Sequence, residues 1–375
     1  MKRYIAIFFA SLLNVFLGYS QASSDIWDIL QGNADMSRRL GFQPYRVDSA
    51  KTRTIGLEVD ALAFFKDNEF DGNVQSGYSL PGVRLQPRIT YMPIDEIKLE
   101  LGLHATIYSG ANKYPCYVFH DIATWKGDQY QSGAHLLPFF RATARFNSIT
   151  LAVGNIYGGA THGLIEPLYN PELILTDDPE MGVQMIVDTR RWHSDLWLNW
   201  QSYIFKESSH QEAFTVGWTQ SINMWKRTSD GVSHRLDLPI QLTIQHRGGE
   251  QDNTRLGVQT IGNGALGVAY EYRNDRNRIF NGIHTEAMAL YCVQQSGHLW
   301  PFNGGPAAWV KASMDLIRDL RITAGYFFAK DFCSLYGSQY FGTISTKNLG
   351  GRFNSMSTGL IGIEYSRTFA KVYTI

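Results

Sequence analysis

Long segments of alternating apolar and polar residues are the feature that most limits how this chain can fold. Between Ile97 and Tyr108, residues such as Ile, Leu and Ala alternate with Lys, Glu, His and Thr. Comparable segments recur roughly 14 times along the chain, and each reaches the length that a tilted transmembrane strand needs. Because neighbouring side chains of a strand point to opposite faces, each segment has one apolar and one polar face. The pattern predicts an antiparallel barrel with lipid outside and a polar lumen.

The connections between these segments alternate between short turns and long loops. Bacterial outer-membrane barrels have short periplasmic turns and long extracellular loops, so this alternation supports the same fold. A soluble β-sandwich is a poorer match, because its strands are usually shorter and its long loops are not confined to one side. The join at 221–234 does not fit the alternation. The short turns are 92–95, 146–148 and 316–319, and the longest loops are 110–134, 158–181 and 331–355.

The predicted fold class is therefore all-β, a transmembrane antiparallel β-barrel of roughly 14 strands in the outer membrane. Sixteen strands are possible if the stub after residue 366 belongs to an incomplete last hairpin. Residues 1–22 have the basic start, apolar run and small-residue end of a secretory signal peptide. Residues 23–52 do not alternate and carry helix-start signals, which predicts a short periplasmic helix or a plug. The barrel is assigned to residues 53–375.

One stretch supports a resemblance. The segment GGATHGLIEPLYNPELILTDDPEMGVQ, from Gly158 to Gln184, resembles segments in uncharacterised, porin-like outer-membrane barrels of Bacteroidetes-type bacteria. The resemblance extends over most of the predicted barrel. It implies an outer-membrane location and a barrel fold, but it implies no reaction and supplies no catalytic residues.

Charged residues of both signs lie on the polar register of the first predicted strands, where they would line the lumen. The loop 158–181 is acidic, contains no Lys or Arg, and is rich in aliphatic residues, which predicts that it folds into the barrel. Its carboxylates, above all Asp177 and Asp178, would then face Arg88 and Arg141 and create a transverse field across a constriction. The alternative is a loop packed over the barrel mouth. The candidate pore-lining residues are Arg84, Arg88, Arg141, Arg145, Glu58, Asp60 and Glu100, and the candidate constriction residues are Glu166, Glu172, Asp177, Asp178 and Glu180.

Sequence motifs for catalysis are lacking. His104, His135, His246 and His284 are scattered over separate strands, and no G-x-S-x-G or H-E-x-x-H motif is present. The expectation is therefore a protein that is not an enzyme and that uses no metal or cofactor. Three cysteines are too few for a disulfide scaffold, although Cys292 and Cys333 would lie on one rim and could pair.

The resulting functional prediction is a pore for passive or weakly selective passage of small hydrophilic solutes. One alternative is a channel specific for hydrophobic molecules, with the N-terminal segment as a plug. Another is a structural or adhesion barrel that acts through its extracellular loops. The expected partners are outer-membrane lipid and a small solute. Nucleic acid is not expected, because 34 basic residues balance 34 acidic ones. The sequence indicates no oligomeric state.

Overall fold

A computed structural model describes most of the chain beyond the N-terminal segment. The predicted signal peptide and nearly all of the predicted periplasmic segment lie outside the described residues, so both stay predictions. The described residues are 47–108, 133–204, 210–249, 257–274, 276–277, 279–317, 320–348, 351–365, 368–369 and 373–374.

Fourteen antiparallel strands form a single sheet in which each strand pairs with the next one along the chain. This confirms the predicted fold class and strand number. The described residues after β14 form a separate two-stranded pair, β15 (Thr368–Phe369) and β16 (Tyr373–Thr374), so they do not extend the sheet to 16 strands. The strands are β1 (Ile55–Asn68), β2 (Tyr78–Ile94), β3 (Ile97–Tyr108), β4 (Gly133–Phe146), β5 (Ile149–Asn155), β6 (Met181–Asp188), β7 (Trp192–Ser202), β8 (Ala213–Ser229), β9 (Val232–Arg247), β10 (Gln259–Asn274), β11 (Phe280–Ser296), β12 (Gly304–Leu316), β13 (Leu320–Ala329) and β14 (Met356–Tyr365).

The join at 221–234, which did not fit the predicted alternation, is a hairpin rather than a loop. Strand β8 continues to Ser229, and β9 begins at Val232. The two turn residues, Asp230 and Gly231, have φ angles of 52° and 76°. Positive φ at both central residues belongs to a tight type I′ hairpin turn, for which Asp-Gly is a preferred pair. Short turns therefore lie at one end of the barrel and long loops at the other, and we assign the short-turn end to the periplasm.

The two faces of the sheet differ as the alternation predicts. Apolar side chains such as Leu57 and Leu101 are 71% and 67% exposed on the outer face, where lipid would cover them. The inner face carries polar side chains that are buried inside the barrel. These include Thr90, His104, Thr143, Gln184, Thr219, Gln241, Thr243 and Ser313.

The hydrophobic core lies inside the lumen, where two long loops meet. The β5–β6 loop and the β13–β14 loop place Leu168, Leu173 and Phe332 against inward-facing side chains such as Trp309. The backbone N–H of Asn170 in the first loop donates to the carbonyl of Tyr336 in the second, at 2.7 Å. The predicted inward folding of the β5–β6 loop is therefore what the structure contains, and the lumen is filled rather than open at the long-loop end.

Strands β1 and β14 end the strand order, and between these two described strands there is no hydrogen-bonded ladder. The loops next to them are joined instead. The Thr346 backbone N–H donates to the carbonyl of Val74 at 2.9 Å, and the Ser345 hydroxyl donates to the carbonyl of Asn73 at 2.5 Å. These contacts link the first and last hairpins at the long-loop end.

The possible disulfide between Cys292 and Cys333 is not formed in the structure. Cys292 and Cys333 are both buried and are not joined to each other as a disulfide. Cys116 lies outside the described residues. No helix among the described residues is long and apolar enough to cross a membrane.

Candidate active site

A ladder of ion pairs crosses the inner face of β1–β4, where the pore-lining residues were predicted. The Arg88 guanidinium lies 2.7 Å from Asp60, 3.3 Å from Glu100 and 3.5 Å from Glu58. Strand register explains these pairs, because Glu58 lies directly opposite Arg88 and Glu100 lies directly opposite Arg141. Arg88 and Arg141 are thus paired with carboxylates of their neighbouring strands.

Arg141 connects this ladder to the start of the β5–β6 loop. Its guanidinium donates to the carbonyl of Asn155 at 2.5 Å and to the carbonyl of Ile156 at 3.2 Å, and it stacks on the Tyr157 ring at 3.9 Å. These contacts fix the point where the chain leaves β5 and turns into the lumen. Of the other predicted pore-lining arginines, Arg84 is half-buried on β2, and Arg145 is half-buried near the short-turn end of β4.

The predicted pairing of the β5–β6 loop carboxylates with Arg88 and Arg141 is wrong. These carboxylates contact other residues of the barrel wall. Glu166 crosses the lumen to Lys311 on β12, at 2.7 Å. Glu172 reaches β1 and β2, where Lys66, Tyr78 and Asn68 bind it. Asp178 contacts His135 on β4, at 2.8 Å. The physical reason is that carboxylates on the strands already neutralise Arg88 and Arg141.

Asp177 is a half-buried carboxyl near the end of the β5–β6 loop. Burial raises the pKa of Asp177 well above its usual range, and the nearby carboxylates Glu180 and Asp178 raise it further. The sequence predicts that this residue reaches across a constriction, whereas in the structure its backbone N–H donates to the carbonyl of Leu173 within the loop, at 2.8 Å.

His162, near the start of the β5–β6 loop, is the buried centre of a second polar cluster. Its Nδ1 lies 2.8 Å from Oδ2 of Asp195 on β7, and its Nε2 lies 3.1 Å from Oε2 of Glu180. Asp195 also accepts hydrogen bonds from the side-chain amide of Gln184, at 2.9 and 3.0 Å. Both His162 and Asp195 are almost fully buried. The imidazole is therefore held between two carboxylates, one on a strand and one on the loop.

The position of the imidazole ring is fixed by packing as well as by hydrogen bonds. The indole of Trp197 stacks on it with ring centroids 3.6 Å apart and an interplanar angle of 8°. Trp197 in turn needs Gly217 on β8, because a Cβ at that position would come within 2.0 Å of the indole. The Thr219 hydroxyl donates to the His162 carbonyl at 2.6 Å. Side chains of β7 and β8 thus fix the position of His162.

Glu180 bridges His162 and the backbone of the glycine pair that opens the loop. Its Oε1 accepts a hydrogen bond from the Gly159 N–H at 2.7 Å while its Oε2 lies on His162. The approach depends on Gly158, because a Cβ there would lie 2.7 Å from the Glu180 carboxyl carbon. One carboxylate therefore contacts a ring nitrogen and a backbone N–H at the same time.

The two carboxylates control the charge of His162. Burial by itself would lower the pKa of His162, but Glu180 and Asp195 outweigh it and raise the pKa to about 9. The ring is therefore an imidazolium at neutral pH. Removing either carboxylate would lower that pKa and favour the neutral ring, which is the form that can accept a proton.

Sequence reasoning missed this cluster. His162 lies inside the stretch that carried the resemblance, yet its partners Asp195 and Gln184 stand on separate strands and give no local motif. The available signals were the glycines on both sides of "ATH" and the polar register of Gln184 and Asp195. No group of three or more His, Cys, Asp or Glu side chains within the described ranges has an arrangement that could hold a metal ion.

Solved structures with a similar fold are outer-membrane proteins. A loop-deletion variant of OmpT from Vibrio cholerae is 11% identical, with 83% of this chain and 97% of that chain covered and a TM-score of 0.28. A mutant porin of Rhodopseudomonas blastica is 9% identical, with 83% and 99% covered and a TM-score of 0.30. The fold itself, a single antiparallel sheet of fourteen strands with an exposed apolar outer face, is that of an outer-membrane β-barrel. No curated protein matches the chain.

The family is defined by a match over nearly the whole described chain. Residues 47–375 match the model of the Lipid A 3'-O-deacylase-type family, and the chain belongs to that family. The expectation that this protein is not an enzyme is therefore wrong, because the family takes its name from an enzymatic activity. The bacterial group that the resemblance implied, Bacteroidetes, stays a prediction.

Proposed function

We propose that this barrel is an ester hydrolase of the outer membrane, which removes an O-linked acyl chain from lipid A, and that His162 is its general base. A 3'-O-deacylase by name cleaves the ester at the 3' oxygen, and membership of that family supports this reaction class. The single observation that carries the assignment to this site is the bridging carboxylate of Glu180, which contacts both His162 Nε2 and the Gly159 N–H.

An ester undergoing hydrolysis needs the same two contacts. A base removes a proton from the attacking water, and a backbone N–H stabilises the negative charge that develops on the carbonyl oxygen. The carboxylate of Glu180 holds both positions in this structure, so Glu180 must move aside before a substrate can bind. Asp195 accepts a hydrogen bond from Nδ1–H of His162, which leaves Nε2 to act as the base.

The reaction sequence balances without a further reactant. Water adds to the ester carbonyl carbon while its proton passes to Nε2 of His162. The bond between the carbonyl carbon and the alkoxy oxygen then breaks, and the proton returns to that oxygen. The products are a fatty acid and the free sugar hydroxyl.

A pore, as first predicted, receives less support from the described residues. The two long loops fill the lumen at the long-loop end, and ion pairs such as Glu166–Lys311 fasten them to the wall. The alternatives of a channel for hydrophobic molecules and of an adhesion barrel have no specific observation that favours them.

The test is an assay of the purified, refolded protein with lipid A in detergent micelles. We expect mass spectrometry to show loss of one ester-linked acyl chain, from the 3' position, together with the matching free fatty acid. Heat-denatured protein from the same preparation is the control. Release of no acyl chain across pH 6–10, or release equal to the control, would contradict the proposed function.

A further inference from the structure

A basic notch opens at the short-turn end of the barrel, below the His162 cluster. One wall is the β6–β7 turn with Arg190 and Arg191, and the other is the β8–β9 hairpin, which extends past the end of β7. The walls are joined, because the Asn223 backbone N–H donates to the carbonyl of Arg191 at 2.7 Å. The notch is therefore part of the fold rather than a gap between independent turns.

The notch contains two adjoining cavities that share both arginines. The upper cavity has a volume of about 200 Å³ and extends from Arg190 and Arg191 to His162. The lower one has a volume of about 530 Å³ and lies against Trp225 and Lys226 of the hairpin. Together they offer room for a group larger than a simple inorganic ion.

The charge inside the notch is strongly one-sided. Among the lining residues, which all lie in the described part of the chain, Asp188 is the acidic one, and the basic side chains are His162, Arg190, Arg191, His193, Lys226 and Arg235. Arg235 forms an ion pair with Asp237, at 2.7 Å. Arg190 and Arg191 are exposed and make no ion pair within the described ranges. Two guanidiniums thus face the cavities without a neutralising carboxylate of their own.

Neutral hydrogen-bond donors lie beside these guanidiniums. Ser221 is one of the residues that line the upper cavity, and its hydroxyl oxygen is buried without a hydrogen-bond partner in the structure. The Trp192 indole N–H beside it already donates to Gln220, at 3.2 Å. A buried hydroxyl without a partner is costly unless a ligand or water satisfies it, so its position at the cavity wall favours a polar occupant.

We propose that this notch binds a phosphate ester from the periplasmic side. Two adjacent guanidiniums and an ammonium match the several oxygens of a phosphate better than the two oxygens of one carboxylate. The phosphate group sits between Arg190 and Arg191, and the Ser221 hydroxyl donates to it from the upper cavity. The ligand is either a soluble phosphorylated solute or the headgroup of an inner-leaflet phospholipid. The proposal does not depend on hydrolysis at His162.

The test measures binding to the full chain in a neutral detergent at fixed ionic strength. The probes are inorganic phosphate, glycerol phosphate and a short-chain phosphatidylglycerol, with acetate and a short-chain phosphatidylcholine as comparisons. Isothermal titration gives the affinity, and quenching of tryptophan fluorescence reports the site, because Trp192 and Trp225 line the cavities. The double variant R190Q/R191Q is expected to bind the phosphate probes about tenfold or more weakly.

The matched control is R227Q/R276Q, which removes the same charge from the same end of the barrel without touching either cavity. It is expected to change the affinity by less than about twofold. Binding of glycerol phosphate supports the proposal with a soluble ligand, and binding of phosphatidylglycerol alone supports it with a lipid headgroup. Equal loss in both double variants, acetate binding as tight as phosphate, or no binding of any phosphate probe would overturn it.

Discussion

Replacing His162 with Asn is expected to lower the rate of acyl-chain release by about 10²–10⁴-fold, the usual contribution of a positioned general base. Asn keeps a polar side chain at the position but cannot accept the proton from water. His162 is held by Asp195 and stacked on Trp197, so its ring is fixed in position. The measurement is the initial rate of fatty acid release from lipid A by the purified variant.

The matched control for this prediction is His246→Asn. His246 lies on β9 and contacts Thr260 and the carbonyl of Gly248, away from the cluster around His162. We expect this variant to keep a rate within about twofold of wild type. Both variants should show the same heat-modifiable migration as wild type, which verifies the folded barrel. Equal activity of the His162 variant and wild type would remove His162 from the mechanism.

The largest expected change in stability belongs to Arg88. Replacing it with Gln removes the one cation that contacts Glu58, Asp60 and Glu100 together, and the Glu100 carboxylate is almost fully buried. Lys98 still binds Glu58 at 2.9 Å, and Arg141 still binds Glu100 at 3.4 Å. Removing one partner of a buried ion pair costs about 3–5 kcal/mol when the remaining charge is left uncompensated, and here Lys98 and Arg141 compensate Glu100 in part. Glu58 and Asp60 can take up water, so the lower part of that range is expected. Urea unfolding of the barrel in detergent, followed by its heat-modifiable migration, measures the loss.

Arg145→Gln is the control for this effect. Arg145 lies on β4 and makes no ion pair among the residues that the structure describes. Its loss should therefore cost less than about 0.5 kcal/mol. Acid should also rescue the Arg88 variant in part, since protonation removes the uncompensated negative charge. Equal stability of the Arg88 and Arg145 variants would show that the ion-pair ladder adds nothing to the fold.

The alternating pattern was sufficient to predict the barrel, the strand number and the inward course of the β5–β6 loop. Alternation determines which face each side chain occupies, and the aliphatic residues of the loop had to be buried somewhere. The pattern does not determine register, however, and register is what pairs Glu58 with Arg88 and Glu100 with Arg141. Without these pairs, the arginines were assumed to be available to the loop carboxylates.

The candidate active site could not be predicted for a related reason. His162, Glu180 and Asp195 come from two parts of a loop and from a strand, and they meet only because the loop enters the lumen and turns back to β6. Their separation along the chain corresponds to no local motif. The structural role of Gly217 is equally invisible in the sequence, because it depends on the cross-strand position of Trp197.

The dependence of the hydrolysis rate on pH tests the central claim, that His162 in its pair of carboxylates carries the reaction. The free enzyme holds His162 with a pKa of about 9, and kcat/KM reports ionisations of the free enzyme. We therefore expect kcat/KM of wild type to rise with pH and to level off above about 9. Glu180→Gln removes one of the two charges that raise this pKa, so its profile should shift to lower pH by about 1–2 units. Superimposable profiles for wild type and the Glu180 variant, or a rate that does not rise between pH 7 and 9, would contradict the account.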